Sequence, residues 1–297
     1  MSDKNGINVL SLFDGISCGQ IALERSGISV NNYFASEIDK WAIIITQKNY
    51  PETVQLGDIT LINNRVLKGL PKIDLIIGGS PCQDISNLNK KQDGLQGAKS
   101  SLFFHYLRIL KWIKKNNNPN VKFLLENVRG KKESKDEISK LLGVESVLIN
   151  SSLVSGQSRN RLYWTDIRED IQQPNDKGIF LQDVLEKNTL DEYVIKDGRL
   201  KWINSENGQR CFKKQLCTLD GNKSGKAQCL TVRSEPGWNS NYVTSETGRI
   251  RKLTEIEYER LQTIPDNYTL GVPSIKRYMA IGNSWTVDII VHILSYL

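Results

Sequence analysis

Short apolar runs and amphipathic stretches alternate along the first half of the chain. The run Asn8–Phe13 predicts a strand ending at Asp14-Gly15, and Gly19–Ser26 then carries helical spacing through Ile21, Ala22 and Arg25. Val30–Ala35 predicts a second strand, Trp41–Gln47 the helix after it, and Val54–Leu56 a weak third strand. Ile73–Ile77 is nearly all apolar, as a strand buried on both faces should be. Leu102–Ile113 predicts a strongly amphipathic helix, Phe123–Leu125 another buried strand, and Ile138–Leu142 part of the next helix. Ser146–Val154 and Arg161–Thr165 close the series as strands. This β/α alternation predicts a doubly wound, mostly parallel sheet that binds ligands beyond the carboxyl ends of its strands.

From about Ile167 the pattern breaks. The stretch to about Ile250 is rich in Gly, Asn, Ser and Lys, and no helical period persists after Leu181–Glu186, which predicts a second, smaller, irregular domain. Periodicity returns at Leu253–Leu261 and Thr286–Leu297. The 297 residues, 39% hydrophobic and 25% charged, exclude a collagen, a coiled-coil rod and wholesale disorder. Lacking a run of about 18 apolar residues, the chain is not expected to cross a membrane. The polar start Met1–Gly6 carries no secretory signal, and five cysteines in this length do not make a disulfide scaffold, so a reducing cytoplasm is expected. The formal charge is +7. Arg199, Lys201, Arg210, Lys213, Lys214, Lys223, Lys226 and Arg233 face only Glu206 and Asp220, so this one window nets +6. It reads as a polyanion surface driven by counterion release, or as a solvated basic loop.

Candidate chemistry falls at the strand ends. The turn Phe13-Asp14-Gly15-Ile16-Ser17-Cys18-Gly19 brings backbone and a helix N-terminus to a ligand, without the Gly-x-Gly-x-x-Gly spacing of nicotinamide enzymes. Glu37, just past the second strand, is placed to accept from ribose hydroxyls, and Asp58, past the third, from an adenine amino group. Together they describe an adenosine pocket. The fourth strand ends in Gly78-Gly79-Ser80-Pro81-Cys82-Gln83, where a cysteine on a stiff loop suits a nucleophile better than a core. Glu126, in Glu126-Asn127-Val128, ends the next strand, so a carboxyl and a thiol can address two edges of one planar ring.

These motifs, with Gln157-Ser158-Arg159-Asn160-Arg161, Arg251-Lys252-Leu253-Thr254 and Gly282-Asn283-Ser284, resemble in order those of the DNA (cytosine-5)-methyltransferases. The resemblance runs from about Val9 to Leu297. Leu10–Ile16 and Gly282–Trp285 look most like the animal de novo methyltransferase catalytic domains. It implies a Rossmann-like methyltransferase fold, with residues 1–166 plus 276–297 as catalytic domain and 167–275 as target-recognition domain.

The resemblance also implies roles. Cys82 attacks C6 of a cytosine flipped from duplex DNA, Glu126 bonds the ring N3 and amine, and Arg161, with Arg159, orients the base and Glu126. S-Adenosylmethionine is the implied cofactor, with Phe13, Gly15, Ile16 and Ser17 at its methionine side, Glu37 at the ribose, Asp58 with Ile59 at the adenine, and Ile38 among its contacts. Pro81, Leu102, Asn283 and Ser284 line the same pocket. Ser86 and Thr231 hold flanking phosphates, joined on the DNA by Gln83, Lys213, Lys214 and Arg233. Cys18 and the bulky Trp285 depart from the usual pattern, and the recognition segment names no target sequence. His105 and His292 with scattered cysteines predict no metal site. Trp202 and Trp238 stack on bases or fill a core. The expected setting is a bacterial or phage-infected cell, with a cognate restriction endonuclease as possible partner. The rival readings are a tRNA cytosine-5 methyltransferase and a non-catalytic DNA-binding relative; an amino-methyltransferase would need an Asp/Asn-Pro-Pro-aromatic motif that is missing.

Overall fold

The computed structural model describes residues 6–81, 101–214, 217–232 and 241–297. Cys82, Gln83, Ser86, Arg233 and Trp238 lie outside the described residues. The chain divides into two compact units. One comprises Met1–Ile149, Asn160–Gln173 and Ile290–Leu297, and the other Asn150–Arg159 and Pro174–Ile289.

In the first unit the alternating pattern becomes β1 (Ile7–Leu12), α1 (Cys18–Arg25), β2 (Val30–Ser36), α2 (Lys40–Asn49), β3 (Val54–Gln55), α3 (Asn64–Lys68), β4 (Leu75–Gly79), α4 (Ser101–Asn116), β5 (Lys122–Val128), α5 (Lys132–Leu142) and β6 (Ser146–Asn150). A two-residue strand β7 (Gln157–Ser158) belongs to the second unit, and β8 (Asn160–Thr165) returns to the first. Among the described residues, seven strands form one sheet in the order β3-β2-β1-β4-β5-β8-β6. The chain winds outward from β1 to β3, then crosses back to β4, so the order reverses between β1 and β4. That is where open α/β sheets bind ligands. β1 to β5 are parallel, so their carboxyl ends share one edge; β8 pairs antiparallel with β5 and starts at that same edge. Leu10, Leu12, Ile76, Phe123 and Leu125 of the sheet pack with Phe103, Tyr106 and Leu110 of α4 and Trp164 of β8 in a buried core. Ser146–Val154 does not stay extended to its end. The Asn150 side chain accepts from Ser152 N at 3.0 Å and starts a 3-10 turn over Ser151–Leu153.

The second unit is less irregular than its composition suggested. It contains α6 (Asp197–Asn204), α7 (Glu206–Lys213), β9 (Thr218–Leu219), β10 (Ala227–Gln228), β11 (Asn241–Thr244), β12 (Ile250–Lys252), α8 (Glu255–Leu261) and α9 (Ser274–Asn283). α6 and α7 hold only eight residues each and contain Gly198 and Gly208, too little for a helical period to register. α10 (Val287–Leu294) carries the chain back into the first unit. The sequence grouped residues 276–297 with the catalytic part, whereas by contacts residues 276–289 belong to the second unit. Tyr278 and Ile281 are buried there with Leu253, Tyr258 and Leu261. The Arg251 guanidinium forks onto the Glu257 carboxylate at 2.8 and 2.7 Å, and Glu257 also caps α8 by accepting from Thr254 N.

Candidate active site

β1 ends in a turn of left-handed backbone, with φ of 60° at Phe13, 61° at Gly15 and 58° at Ser17. Only Gly15 adopts this freely; at Phe13 and Ser17 it stores strain of the kind that gathers at functional sites. The neighbouring strand holds the turn in place. Gly15 N donates to Glu37 Oε2 at 2.8 Å, while Ile38 N and Asp39 N both donate to Oε1 at 2.8 Å. Three backbone donors thus fix the Glu37 carboxylate. Beneath the turn, Asp14 accepts from Tyr33 OH at 2.8 Å and from the Ser17 hydroxyl, and Thr46 Oγ1 reaches Ser17 Oγ at 3.2 Å. Desolvation pushes the Asp14 pKa up to about 6, against the pull of these hydroxyls. Asp14, Tyr33 and Thr46 had no assigned role in the sequence; Asp14 lay inside the quoted turn, and nothing marked the other two.

After β3, Asp58 caps the 3-10 turn Ile59–Leu61 by accepting from Thr60 N at 2.8 Å, a bond that holds its carboxyl below the usual range. Ile16 and Ile59 are buried, and Phe13 and Leu102 pack against the main core. Ile38 and Leu61, in the loops after β2 and β3, are instead 74% and 71% exposed. Large apolar side chains in water beside fixed acids suit the flat face and polar edge of an adenosine.

On the other side of the switch point, Glu126 pairs in register with Gly79 of β4 and with Tyr163 of β8. Arg161, entering on the antiparallel β8, brings Nε to 2.9 Å from Glu126 Oε1, the two side chains being 14% and 12% exposed. An ion pair this well covered is oriented by its own geometry. Asn127 Nδ2 donates to Ser80 Oγ at 3.2 Å, tying the end of β5 to the loop after β4 two residues before Cys82. Pro81 is exposed.

The second unit places the remaining expected residues. The Arg159 guanidinium is engaged by backbone of its own unit. It is buried and donates to the carbonyls of Leu230 at 2.7 Å and Ser284 at 2.9 Å, with Gly282 O at 3.5 Å. Adjacent odd-numbered arginines look alike in the sequence, and only the fold separates their tasks. Thr231 is half-buried, Ser284 is buried and turns its hydroxyl back to Ile281 O, and Asn283 is exposed. Lys213 and Lys214, at the end of α7, are exposed. Lys226 is turned inward. Its ammonium donates to Ser152 O at 2.7 Å, Ser155 O at 3.1 Å and Ile179 O, and burial pulls its pKa down. The basic window therefore has one lysine fewer for a polyanion than its charge count implies. Arg199 lies over the ring of Trp202, which packs against the core around Ile203 and Tyr242. No cluster of three metal-ligating side chains occurs among the described residues, nor any helix long and apolar enough to cross a membrane.

Comparison with known proteins identifies the family and the fold. The chain is 29% identical over 308 residues to the type II methyltransferase M1.ScrFI of Lactococcus lactis subsp. cremoris, covering 95% of this chain and 75% of that one. It is 33% identical over 216 residues to the orphan methyltransferase M.Rho11sI of Bacillus phage rho11s, covering 66% of this chain but spanning only 41% of the phage protein. Among solved structures, the Entamoeba histolytica methyltransferase EhMeth superimposes with a TM-score of 0.79 at 22% identity over 99% and 98% of the two chains. A Spodoptera frugiperda DNMT2 mutant gives 0.74 at 20% identity over 98% and 99%. At these identities the two structures speak for a shared fold. The family model for C-5 cytosine-specific DNA methylases matches residues 7–297, from β1 to the last residue. Both the turn held by Glu37 and the pair Glu126–Arg161 fall inside that match, and the chain belongs to the C-5 cytosine-specific DNA methylase family.

Proposed function

We propose that the chain transfers a methyl group from S-adenosylmethionine to C5 of a cytosine flipped out of duplex DNA. The observation that carries this reading is the Glu126–Arg161 pair, 2.9 Å apart at the strand end next to the one that leads into Cys82. When bound, S-adenosylmethionine supplies an electrophilic methyl group. The pinned Glu37 carboxylate would accept from its ribose hydroxyls, and Ile38 and Leu61 would cover the adenine. Cytosine C5 is a poor nucleophile until something adds at C6, so the Cys82 thiolate forms a bond there. Glu126, held by Arg161, shares a proton with N3 and accepts from the exocyclic amine, which makes C6 electrophilic. Once C5 is methylated, loss of its proton expels the Cys82 sulfur and restores the ring. Flipping is required because the ring edge is closed off in a stacked duplex.

In this reading Asn283, Ser284, Pro81 and Leu102 line the cofactor side. Thr231, Lys213, Lys214, Gln83, Ser86 and Arg233 serve the duplex, and Arg159 is a positioning residue. The functional division keeps residues 1–166 and 276–297 for catalysis and 167–275 for target recognition. The setting is the cytoplasm of a bacterium or phage-infected cell, and duplex DNA is the partner. Tritiated methyl transfer to duplex DNA and to tRNA, with wild type and Cys82→Ser, tests it. Label is expected on duplex DNA alone and only with the cysteine. Label on tRNA alone refutes the substrate, and label with Cys82→Ser refutes the covalent step.

A further inference from the structure

Gln157 and Gln262 are both fully buried in the second unit, and neither belongs to the machinery proposed above. Gln262 uses all four of its side-chain hydrogen-bonding positions. Its Oε1 accepts from Gln157 Nε2 at 2.7 Å and Thr286 Oγ1 at 2.8 Å, while its Nε2 donates to the carbonyls of Ile281 at 3.0 Å and Ser284 at 3.1 Å. Gln157 continues the network. Its Nε2 also donates to Leu261 O at 2.6 Å, and its Oε1 accepts from Leu230 N at 3.2 Å. The backbone of Gln262 takes part too, its carbonyl accepting from Val287 N at 3.0 Å. One side chain thus ends α9 at a defined place, fixes the turn into α10 and, through Gln157, sets the height of the Leu230–Thr231 segment.

We propose that Gln262 is a positioning residue for both substrates, holding the Asn283–Ser284 turn and the Thr231 segment in fixed relation. This rests on the roles proposed above for Ser284 at the cofactor and Thr231 at a DNA phosphate. A buried amide with every position satisfied has one orientation. Its isosteric acid does not, because a carboxylate at the same point faces two carbonyl oxygens with no proton to offer.

The test uses the full chain with Gln262→Glu and the milder Thr286→Val, which removes one donor to Oε1 and the acceptor of the Ser151 hydroxyl. Hydrogen–deuterium exchange is read on peptides covering 228–232 and 281–287, with β1 and β5 peptides as reference. KM and kcat are read for S-adenosylmethionine and for duplex DNA. Faster exchange confined to the two segments is expected in both variants. KM should rise for both substrates by about tenfold in Gln262→Glu, the scale of one or two net hydrogen bonds, with kcat per folded molecule within about threefold. A role in folding alone would lower the active fraction and leave both KM values unchanged, which overturns the proposal. Unchanged exchange in the two segments overturns it as well, whatever the activity. Wild type that methylates no duplex instead overturns the functional reading, and the exchange experiment still decides the role of Gln262.

Discussion

Replacing Gly282 by alanine sets two physical effects against each other. Gly282 lies in the last turn of α9, and helix propensity alone favours alanine there by about 0.8–1.0 kcal/mol. A Cβ at this position would sit 2.4 Å from the Thr231 carbonyl carbon, 2.5 Å from its oxygen and 2.8 Å from Val232 N. Carbon atoms in contact prefer about 3.5–4.0 Å, so one segment must retreat by roughly 1 Å. All three atoms are backbone, so no change of rotamer relieves the clash. Overpacking of this kind costs about 1–3 kcal/mol. Retreat of Thr231 also draws Leu230 O away from Arg159 Nη1, now at 2.7 Å, and a hydrogen bond to a charged group contributes about 1.5–3 kcal/mol. Clash and lost bond outweigh propensity, leaving a net destabilisation of about 1.5–5 kcal/mol. Urea unfolding monitored by circular dichroism reads this directly. At a slope of about 3 kcal/mol per molar, the midpoint of the affected transition should fall by roughly 1 M. A variant as stable as wild type, or more so, would refute the close approach of Thr231 to α9, since propensity would then have won unopposed.

Three further outcomes follow from the geometry. Arg161→Ala should lower kcat by about 100-fold or more while leaving duplex affinity within about threefold, because the Glu126 carboxyl loses the donor that orients it; single-turnover methylation with a filter-binding assay separates the two, and equal losses in both would be contrary. Asp14, whose pKa rises from 3.8 to about 6 on folding, binds protons more tightly when folded. It therefore stabilises the fold at pH below about 4 and loses that contribution as the pH rises through 6, a swing of about 3 kcal/mol that Asp14→Asn should flatten; an unchanged pH–stability profile in the variant would exclude this role. Lys213→Ala with Lys214→Ala should shallow the slope of log K against log salt by about 0.9 per lysine that contacts phosphate, whereas Lys226→Met should lower stability and leave the slope alone. The opposite pattern would mean that the inward and outward lysines had been exchanged.

Local pattern determined much of this protein without help. Short apolar runs alternating with amphipathic stretches could hardly bury their faces other than as a mostly parallel sheet, and β1, β2, β4, β5 and β8 lie where that pattern put them. Glu37, Asp58 and Glu126 stood out as candidates because strand ends are where such a sheet exposes side chains. Spacing in sequence says nothing, however, about which way a long side chain turns. Arg159 and Arg161 differ by two residues, yet one is buried among carbonyls and the other holds a carboxylate, because β8 runs antiparallel to β5 and begins at Asn160. Lys226 counted as surface charge until the fold supplied three inward carbonyls for its ammonium. Gly282, an ordinary helix breaker by composition, is required by a backbone that lies 51 residues earlier in the chain. Partners of this kind meet only when distant segments pack. Hydrogen-bond direction and close backbone approach therefore belong to the tertiary structure, while burial and periodicity belong to the sequence.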